Sequence, residues 1–400
     1  MNKPAELGLK ENWKQFSLLI LINAFVGGMV GMERSIFPQL ADIEFGISSR
    51  TAIFSFIAFF GSAKALANYY TGRLANKWGR RRLLIVGWLI AIPVPILLIF
   101  APNWSWVVFA NVLLGFSQGI TWSSTVVMKI DLVGEKNRGL AMGLNEFSGY
   151  LAVGIVALLT GLIADRYGIT PYPFYLGIAL STIGLLLTVF WARDTRAFIH
   201  KEGAANDIEE LENVFLDTTL KNKTLSSVTQ AGLVNNLNDG MIWGLLPLLL
   251  IGLQYDNQQI GWIAAIYPAV WGIGQLFTGK MSDHYSKKRM LVLGMFLQSV
   301  AIIAFPFLQS FVLLASASAV LGLGTALVYP TFLATIAQST NPIQRAESIG
   351  VFRLWRDLGY VFGAIISGVV ADLLGLSPAI FIIGGLTLFS SVIIQVRMPN

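Results

Sequence analysis

Eight ionisable residues interrupt stretches of chain that are otherwise apolar: Glu33, Arg34, Lys64, Glu146, Asp239, Arg353, Arg356 and Asp357. A charge at the centre of a bilayer costs ~2.5–3.5 kcal/mol on insertion scales, so such residues face a partner or a wet cavity. Four are basic and four acidic, and a structural ion-pair network would neutralise them all. The other use is chemical. Guanidinium and ammonium groups hold carboxylate or phosphate, and a desolvated carboxylate can take up and release a proton. Eight charges are many for packing alone, which favours the chemical use.

Spacing sorts these residues onto helix faces. Arg353, Arg356, Asp357 and Tyr360 follow i, i+3, i+4, i+7 and share one face. Arg353 and Asp357 are spaced to pair along the helix, which leaves Arg356 for bidentate contact with an anion. Other stripes are Asn235, Asn238, Asp239 and Ile242; Gln118, Trp122, Thr125 and Lys129; and Tyr267, Trp271 and Gln275. Such stripes either glue helices together or line a small-molecule cavity. The candidate substrate-binding set is Arg34, Lys64, Gln118, Trp122, Asn235, Asp239, Tyr267, Trp271, Arg353, Arg356 and Tyr360. Candidates for proton coupling are Glu33, Glu146 and Asp239. Glu146 is preferred, because Phe147 and Tyr150 flank it and no basic residue lies within one helical turn. Its other use is a fixed ion pair with Arg353 or Lys64.

The elements that must carry these side chains are long and apolar. Of 400 residues, 55% are apolar and 12% charged, about half the charge of a soluble domain. Mean hydropathy is +0.65. Twelve apolar segments emerge at 16–37, 51–71, 83–101, 104–128, 139–163, 174–192, 226–251, 259–279, 290–308, 311–336, 348–370 and 379–396. Each is long enough to cross ~30 Å of hydrocarbon as a helix. Phe16–Met32 is too long for a signal-peptide core, and no small-residue cleavage site follows it, so it reads as a retained span. Of the 28 Lys and Arg residues, 22 fall in the terminal tails and even-to-odd loops and two, Arg50 and Arg166, in the opposite loops. The positive-inside rule then puts both termini in the cytoplasm, and it explains the net charge of +6 without a nucleic-acid partner.

Residues 193–224 hold 12 of the 50 charged residues and read as a cytoplasmic linker between halves 1–192 and 225–400. A weak amphipathic pattern at Ile208, Leu211, Phe215 and Leu216 predicts one interfacial helix there. The halves repeat. Gly72-Arg-Leu-Ala-Asn76-Lys-Trp-Gly-Arg80-Arg81-Arg82 recurs 207 residues on as Gly279-Lys-Met-Ser-Asp283-His-Tyr-Ser-Lys287-Lys288-Arg289. Arg138 and Gly143 recur as Arg345 and Gly350, and Gly161, Ala164 and Asp165 as Gly368, Ala371 and Asp372. Glu146 and Arg353 thereby occupy equivalent positions with opposite charge. Six spans per repeat give both halves one orientation, the parallel arrangement used by secondary transporters.

Here the sequence resembles the major facilitator superfamily. Gly72 to Arg82 looks like its loop signature, G-x-L-A-D-R-x-G-R-R-R, and the likeness in span count, linker and repeated loop covers the whole chain. The resemblance implies an all-α membrane protein of twelve transmembrane helices in two pseudo-symmetric six-helix bundles. It implies a monomer working by alternating access, with substrate at the bilayer midplane. It also implies gating by Gly72, Asn76, Arg80, Asp131, Gly279, Asp283 and Lys287, and by a Lys64–Asp357 pair across the seam between halves. Three departures stand out. The family's loop aspartate is Asn76, so the first latch should be weaker or be carried by Arg80 with Asp131. The family's fourth-span R-x-x-Q-G is Gly115-x-x-Gln118-Gly119, without the arginine. The Gly-Pro of the family's proton antiporters is Gly149-Tyr150.

Several other chemistries lack their residues. There is no cysteine, and the two histidines, His200 and His284, stand in charged loops, so no metal or other cofactor is expected. Gly274-x4-Gly279-Lys280-Met281 misses the hydroxyl that a P-loop needs after its lysine. The expected function is secondary transport of a small anionic or polar organic solute, coupled to protons across the cytoplasmic membrane. The alternatives are proton-driven efflux of lipophilic drugs or metabolites, and a non-transporting receptor or assembly factor of the same build. No enzymatic activity is expected.

Overall fold

A computed structural model describes residues 6–34, 36–47, 50–134, 137–203, 208–255 and 257–399. The side chains of Arg34 and of 50–57 lie outside the described part. Every regular element among the described residues is a helix. In chain order these are α1 (Trp13–Arg34), α2 (Phe37–Phe45), α3 (Arg50–Trp78), α4 (Arg80–Ala91), α5 (Pro93–Ile99), α6 (Trp104–Val133), α7 (Arg138–Tyr167) and α8 (Tyr172–Phe190). There follow α9 (Arg196–Gly203), the single turn α10 (Val214–Leu216), α11 (Lys223–Gly252), α12 (Asn257–His284), α13 (Lys287–Ala304), α14 (Phe311–Gln338), α15 (Arg345–Leu374) and α16 (Leu376–Arg397).

Local chemistry sets the breaks. Asn103 Oδ1 accepts from Trp106 N–H to open α6, and Asn222 Oδ1 accepts from the N–H groups of Thr224 and Leu225 to open α11. Pro93, which has no N–H to donate, divides the third span into α4 and α5. Among the described residues nine helical segments are long and apolar enough to cross a membrane. The remaining long helices α3, α6 and α11 are 29 to 30 residues, of comparable reach, and the latter two are diluted by Asn111 and Gln118 and by Asn235, Asn236, Asn238 and Asp239. With them the long helices among the described residues are consistent with the twelve spans that the sequence predicts. Among the described linker residues, helix occurs in α9, in α10 and in a π-helical turn over Asp217–Lys221 that continues α10. Ile208 and Leu211 lie outside helix, so the single amphipathic helix expected there does not form.

The chain divides into two compact units. Unit 1 comprises residues 1–136, 145–207 and 341–350; unit 2 comprises 137–144, 208–340 and 351–400. Each therefore holds a short segment that the sequence repeat would assign to the other half. Within unit 1, α3 and α4 pack on α6, while α8 packs on α1 and α4. Within unit 2, α12 and α13 pack on α14, while α16 packs on α11 and α13. These are repeat-equivalent pairs, so the repeated sequence gives repeated packing.

Candidate functional site

Close approach of helices comes first. A Cβ on Gly115 of α6 would stand 2.5 Å from the Phe60 carbonyl oxygen, and one on Gly322 of α14 would stand 2.7 Å from that of Tyr267. These two glycines are 207 residues apart. Each lets an α3-type helix lie directly on an α6-type helix.

In unit 1 this contact brings Lys64 of α3 against Trp122 of α6. The Lys64 Nζ lies 5.6 Å from the Trp122 ring centroid and 5.7 Å from that of Phe60. An ammonium so placed is attracted by both rings, at ~0.5–2 kcal/mol per contact. The same indole donates its N–H to Glu146 Oε1 at 3.2 Å, and Asn145 Nδ2 donates to that oxygen at 2.7 Å. Glu146 is buried. Tyr150 packs on the Trp122 ring with centroids 5.5 Å apart.

In unit 2 the equivalent positions hold Tyr267, Trp271 and Tyr329 where unit 1 has Phe60, Lys64 and Trp122. The Trp271 ring stacks on Tyr267 at 5.9 Å and tilts against Tyr329 at 5.1 Å. An aromatic ladder thus replaces a cation between two rings. Buried Arg353 stands where Glu146 stood, and Arg356 Cζ lies 5.5 Å over the Tyr329 ring. Asp239 of α11 accepts from the Tyr267 hydroxyl on Oδ1, through a short bond, and from the Tyr360 hydroxyl on Oδ2 at 3.2 Å. Tyr267 Oη is also 3.4 Å from Thr325 Oγ1.

Some predicted site residues are used otherwise. Arg356 bonds Asp357 through Nε at 2.9 Å and a terminal nitrogen at 2.7 Å, so it is not the arginine left over from an Arg353–Asp357 pair. The partner is the adjacent residue, a pairing that i, i+4 spacing does not show. Gln118, Thr125 and Lys129 tie α6 to α1 through the Val26 carbonyl, Asn23 Oδ1 and the Leu19 carbonyl. Of that stripe Trp122 joins the Lys64–Glu146 cluster. Asn235 accepts from Gln298 of α13, which in turn accepts from Asn238, so this stripe also fastens helices. Glu33 is buried near the end of α1. Arg34 ends that helix, and its side chain is outside the described part. Sequence reasoning missed Phe60, Asn145 and Tyr329. Adding the 207-residue offset to Trp122 would have found Tyr329.

The loop-signature residues form two contacts of one design. In unit 1 a Cβ on Gly72 would stand 2.5 Å from the Ala346 carbonyl oxygen and 2.9 Å from Gly350 Cα. In unit 2 a Cβ on Gly279 would stand 2.7 Å from the Gly139 carbonyl oxygen and 2.9 Å from Gly143 Cα. Asp283 accepts the N–H groups of Gly139 and Leu140 at 2.7 and 2.9 Å, at the first turn of α7, and Lys287 is half-buried nearby. Its counterpart Asn76 instead donates to the Ile343 carbonyl at 2.5 Å and accepts from Arg80 at 2.9 Å. Arg80 Nε reaches Asp131 Oδ2 at 3.2 Å with both side chains buried, and Arg73 meets Glu347 at 3.2 Å in the open. Lys64 and Asp357 belong to different units.

Three comparisons place this geometry among known proteins. A family model described as Major Facilitator Superfamily matches residues 18–231 and 228–400. The chain is 24% identical over 395 residues to "Multidrug resistance protein MdtG" of Salmonella typhimurium, covering 95% of each chain, and equally so to the protein of that name from Salmonella choleraesuis. Among solved structures, that of the human organic anion transporter MFSD10 (TETRAN) aligns with a TM-score of 0.76 at 14% identity, over 96% of this chain and 99% of that one. This last likeness is one of fold.

Proposed function

The chain belongs to the Major Facilitator Superfamily, and on that premise we propose that this multi-pass membrane transporter moves an amphipathic organic acid, coupled to protons, by alternating access. The observation that carries the reading is the Lys64 ammonium held between Phe60 and Trp122. It offers a positive charge for an acid group beside π faces for an apolar body. The Tyr267–Trp271–Tyr329 ladder supplies further π faces from the second repeat, one of them covered by Arg356 in its pair with Asp357. The basic loops favour cytoplasmic termini, and the bacterial relatives favour the inner membrane. The Gly72 and Gly279 contacts suit gates, because backbone approach can part without stranding a buried charge.

A second reading, export of lipophilic drugs, is favoured by the buried Asp239 carboxylate among Tyr267 and Tyr360 and by likeness to multidrug resistance proteins. Flux measurements in proteoliposomes separate the two, with aromatic carboxylates tested against hydrophobic cations. On the first reading carboxylates are transported, and Lys64→Ala raises their KM ~10-fold or more, the worth of one charge-assisted bond. Movement of hydrophobic cations alone, abolished by Asp239→Asn, would replace it with the second.

A further inference from the structure

Three arginines open α4, and they have different surroundings. Arg80 is buried on Asp131. Arg81 is anchored by its backbone N–H to Asp194 at 3.2 Å and by its guanidinium to the Val189 carbonyl at 2.5 Å. Arg82 is exposed, and among the described residues no acid pairs with it. It opens onto a surface groove of about 430 Å³ that it lines together with Trp78, Ile85 and Val86. Arg82, Ile85 and Val86 stand at i, i+3, i+4 and so form one stripe of α4. Trp78, the last residue of α3, is half-exposed beside it.

The order of these groups along the helix is the order of a phospholipid. The cation and the indole stand at the basic end of a membrane-crossing pair of helices, where Trp settles at headgroup level and Arg meets phosphate bidentately. One turn deeper the stripe becomes aliphatic, as an acyl chain requires. Lys77 and Arg81 are close in sequence, and excess positive charge of this kind selects an anionic headgroup over a zwitterionic one. The same order of an aromatic residue, an arginine and two aliphatic residues recurs 207 positions on as Tyr285, Arg289, Val292 and Leu293, with Tyr285, Arg289 and Leu293 exposed. We propose that the Trp78–Arg82–Ile85–Val86 groove is a binding site for an anionic phospholipid, with the phosphate on Arg82 and an acyl chain along Ile85 and Val86. The proposal stands apart from the transported substrate.

The test is native mass spectrometry of the full-length protein in detergent, titrated with phosphatidylglycerol, with phosphatidylcholine, and with glycerol phosphate as the chain-free headgroup. Phosphatidylglycerol should bind more tightly than phosphatidylcholine. Arg82→Ala should weaken the tightest phosphatidylglycerol adduct about fivefold, the factor equivalent to ~1 kcal/mol for one basic residue near an anionic surface. Val86→Asn should weaken it as well, while Arg82→Lys keeps most of it. Arg82 has no buried partner to strand, so circular dichroism and thermal unfolding of Arg82→Ala should match the wild type. Unchanged adducts in Arg82→Ala would overturn the proposal. Glycerol phosphate competing as well as the lipid would also overturn it, by showing a free-phosphate site.

Discussion

Arg80 and Asp131 are each 1% exposed at the side chain and 3.2 Å apart. Arg80 also donates to the Ala75 carbonyl, and Asp131 also accepts from the Thr195 hydroxyl at 2.7 Å. Removing one partner strands the other, so Asp131→Ala should destabilise by ~3–5 kcal/mol, whereas Arg80→Met with Asp131→Leu should cost much less. Thermal unfolding in one detergent measures both, and simply additive losses would argue against the coupling. Asp194, nearby and outside the spans, gives a pH dependence. Burial pushes its carboxyl upward, but bonds from the Arg196 backbone and guanidinium and from the Arg81 N–H outweigh this and hold it below the ordinary carboxylate value. A depressed acid contributes stability that is complete above the unfolded value of ~3.9 and is lost as pH falls through the folded one. Acid unfolding monitored below about pH 4 should therefore be shallower in Asp194→Asn than in the wild type. Residue types at these sites were legible, and so was the pairing option for Arg80. Partner choice was not: whether Arg356 takes Asp357 or an external anion depends on how a long side chain folds, and Gln118 and Asn235 follow neighbouring helices that no spacing rule names.

Helix ends explain how the two loop signatures differ. The Asp283 carboxylate sits over the first N–H groups of α7, where a negative charge meets the positive end of the helix. Asn76 presents its amide N–H to a carbonyl instead, and the acid in the first turn of α15 is its own Glu347, paired with Arg73. That pair is exposed, 54% at Arg73 and 30% at Glu347, and is worth less than ~1 kcal/mol. Asp283→Asn should thus weaken the α7 end by about 1 kcal/mol, read as roughly fivefold faster hydrogen exchange at residues 139–142. Asn76→Asp should bring no matching gain at α15, because it loses its donor to Ile343 and sets a carboxylate against a carbonyl. Slower exchange at the start of α15 in that variant would contradict this account. The repeated signature told where these contacts form. It did not tell which helix end each side chain serves, because Asn and Asp differ by one donor and the outcome rests on where Ile343 lies.

At the scale of the molecule, the spans, the repeat and its 207-residue offset were all readable, since hydrophobic length and loop charge are properties of sequence alone. The offset also equates the Lys64 cluster with the Trp271 ladder, so one packing carries a cation in unit 1 and an indole in unit 2. Such asymmetry suits a transporter whose halves do different work, and it bears on coupling. Glu146, tied to Trp122 and hence to the cation over that ring, is our candidate for the carboxylate through which proton and substrate communicate. Glu146→Gln, a mimic of the protonated acid, should keep substrate exchange in proteoliposomes but lose accumulation driven by a pH gradient. Accumulation at the wild-type level would assign coupling elsewhere. Exchange of segments 137–144 and 341–350 between the compact units was not readable, because it depends on tertiary contact. It has a consequence for biosynthesis. The Gly72 face of α3 emerges from the ribosome first, and its partners Ala346 and Gly350 follow 274 and 278 residues later. At ~5–20 residues per second that wait is roughly 14 to 55 seconds, during which the Gly72 face of α3 lacks these partners and is open to any neighbouring helix.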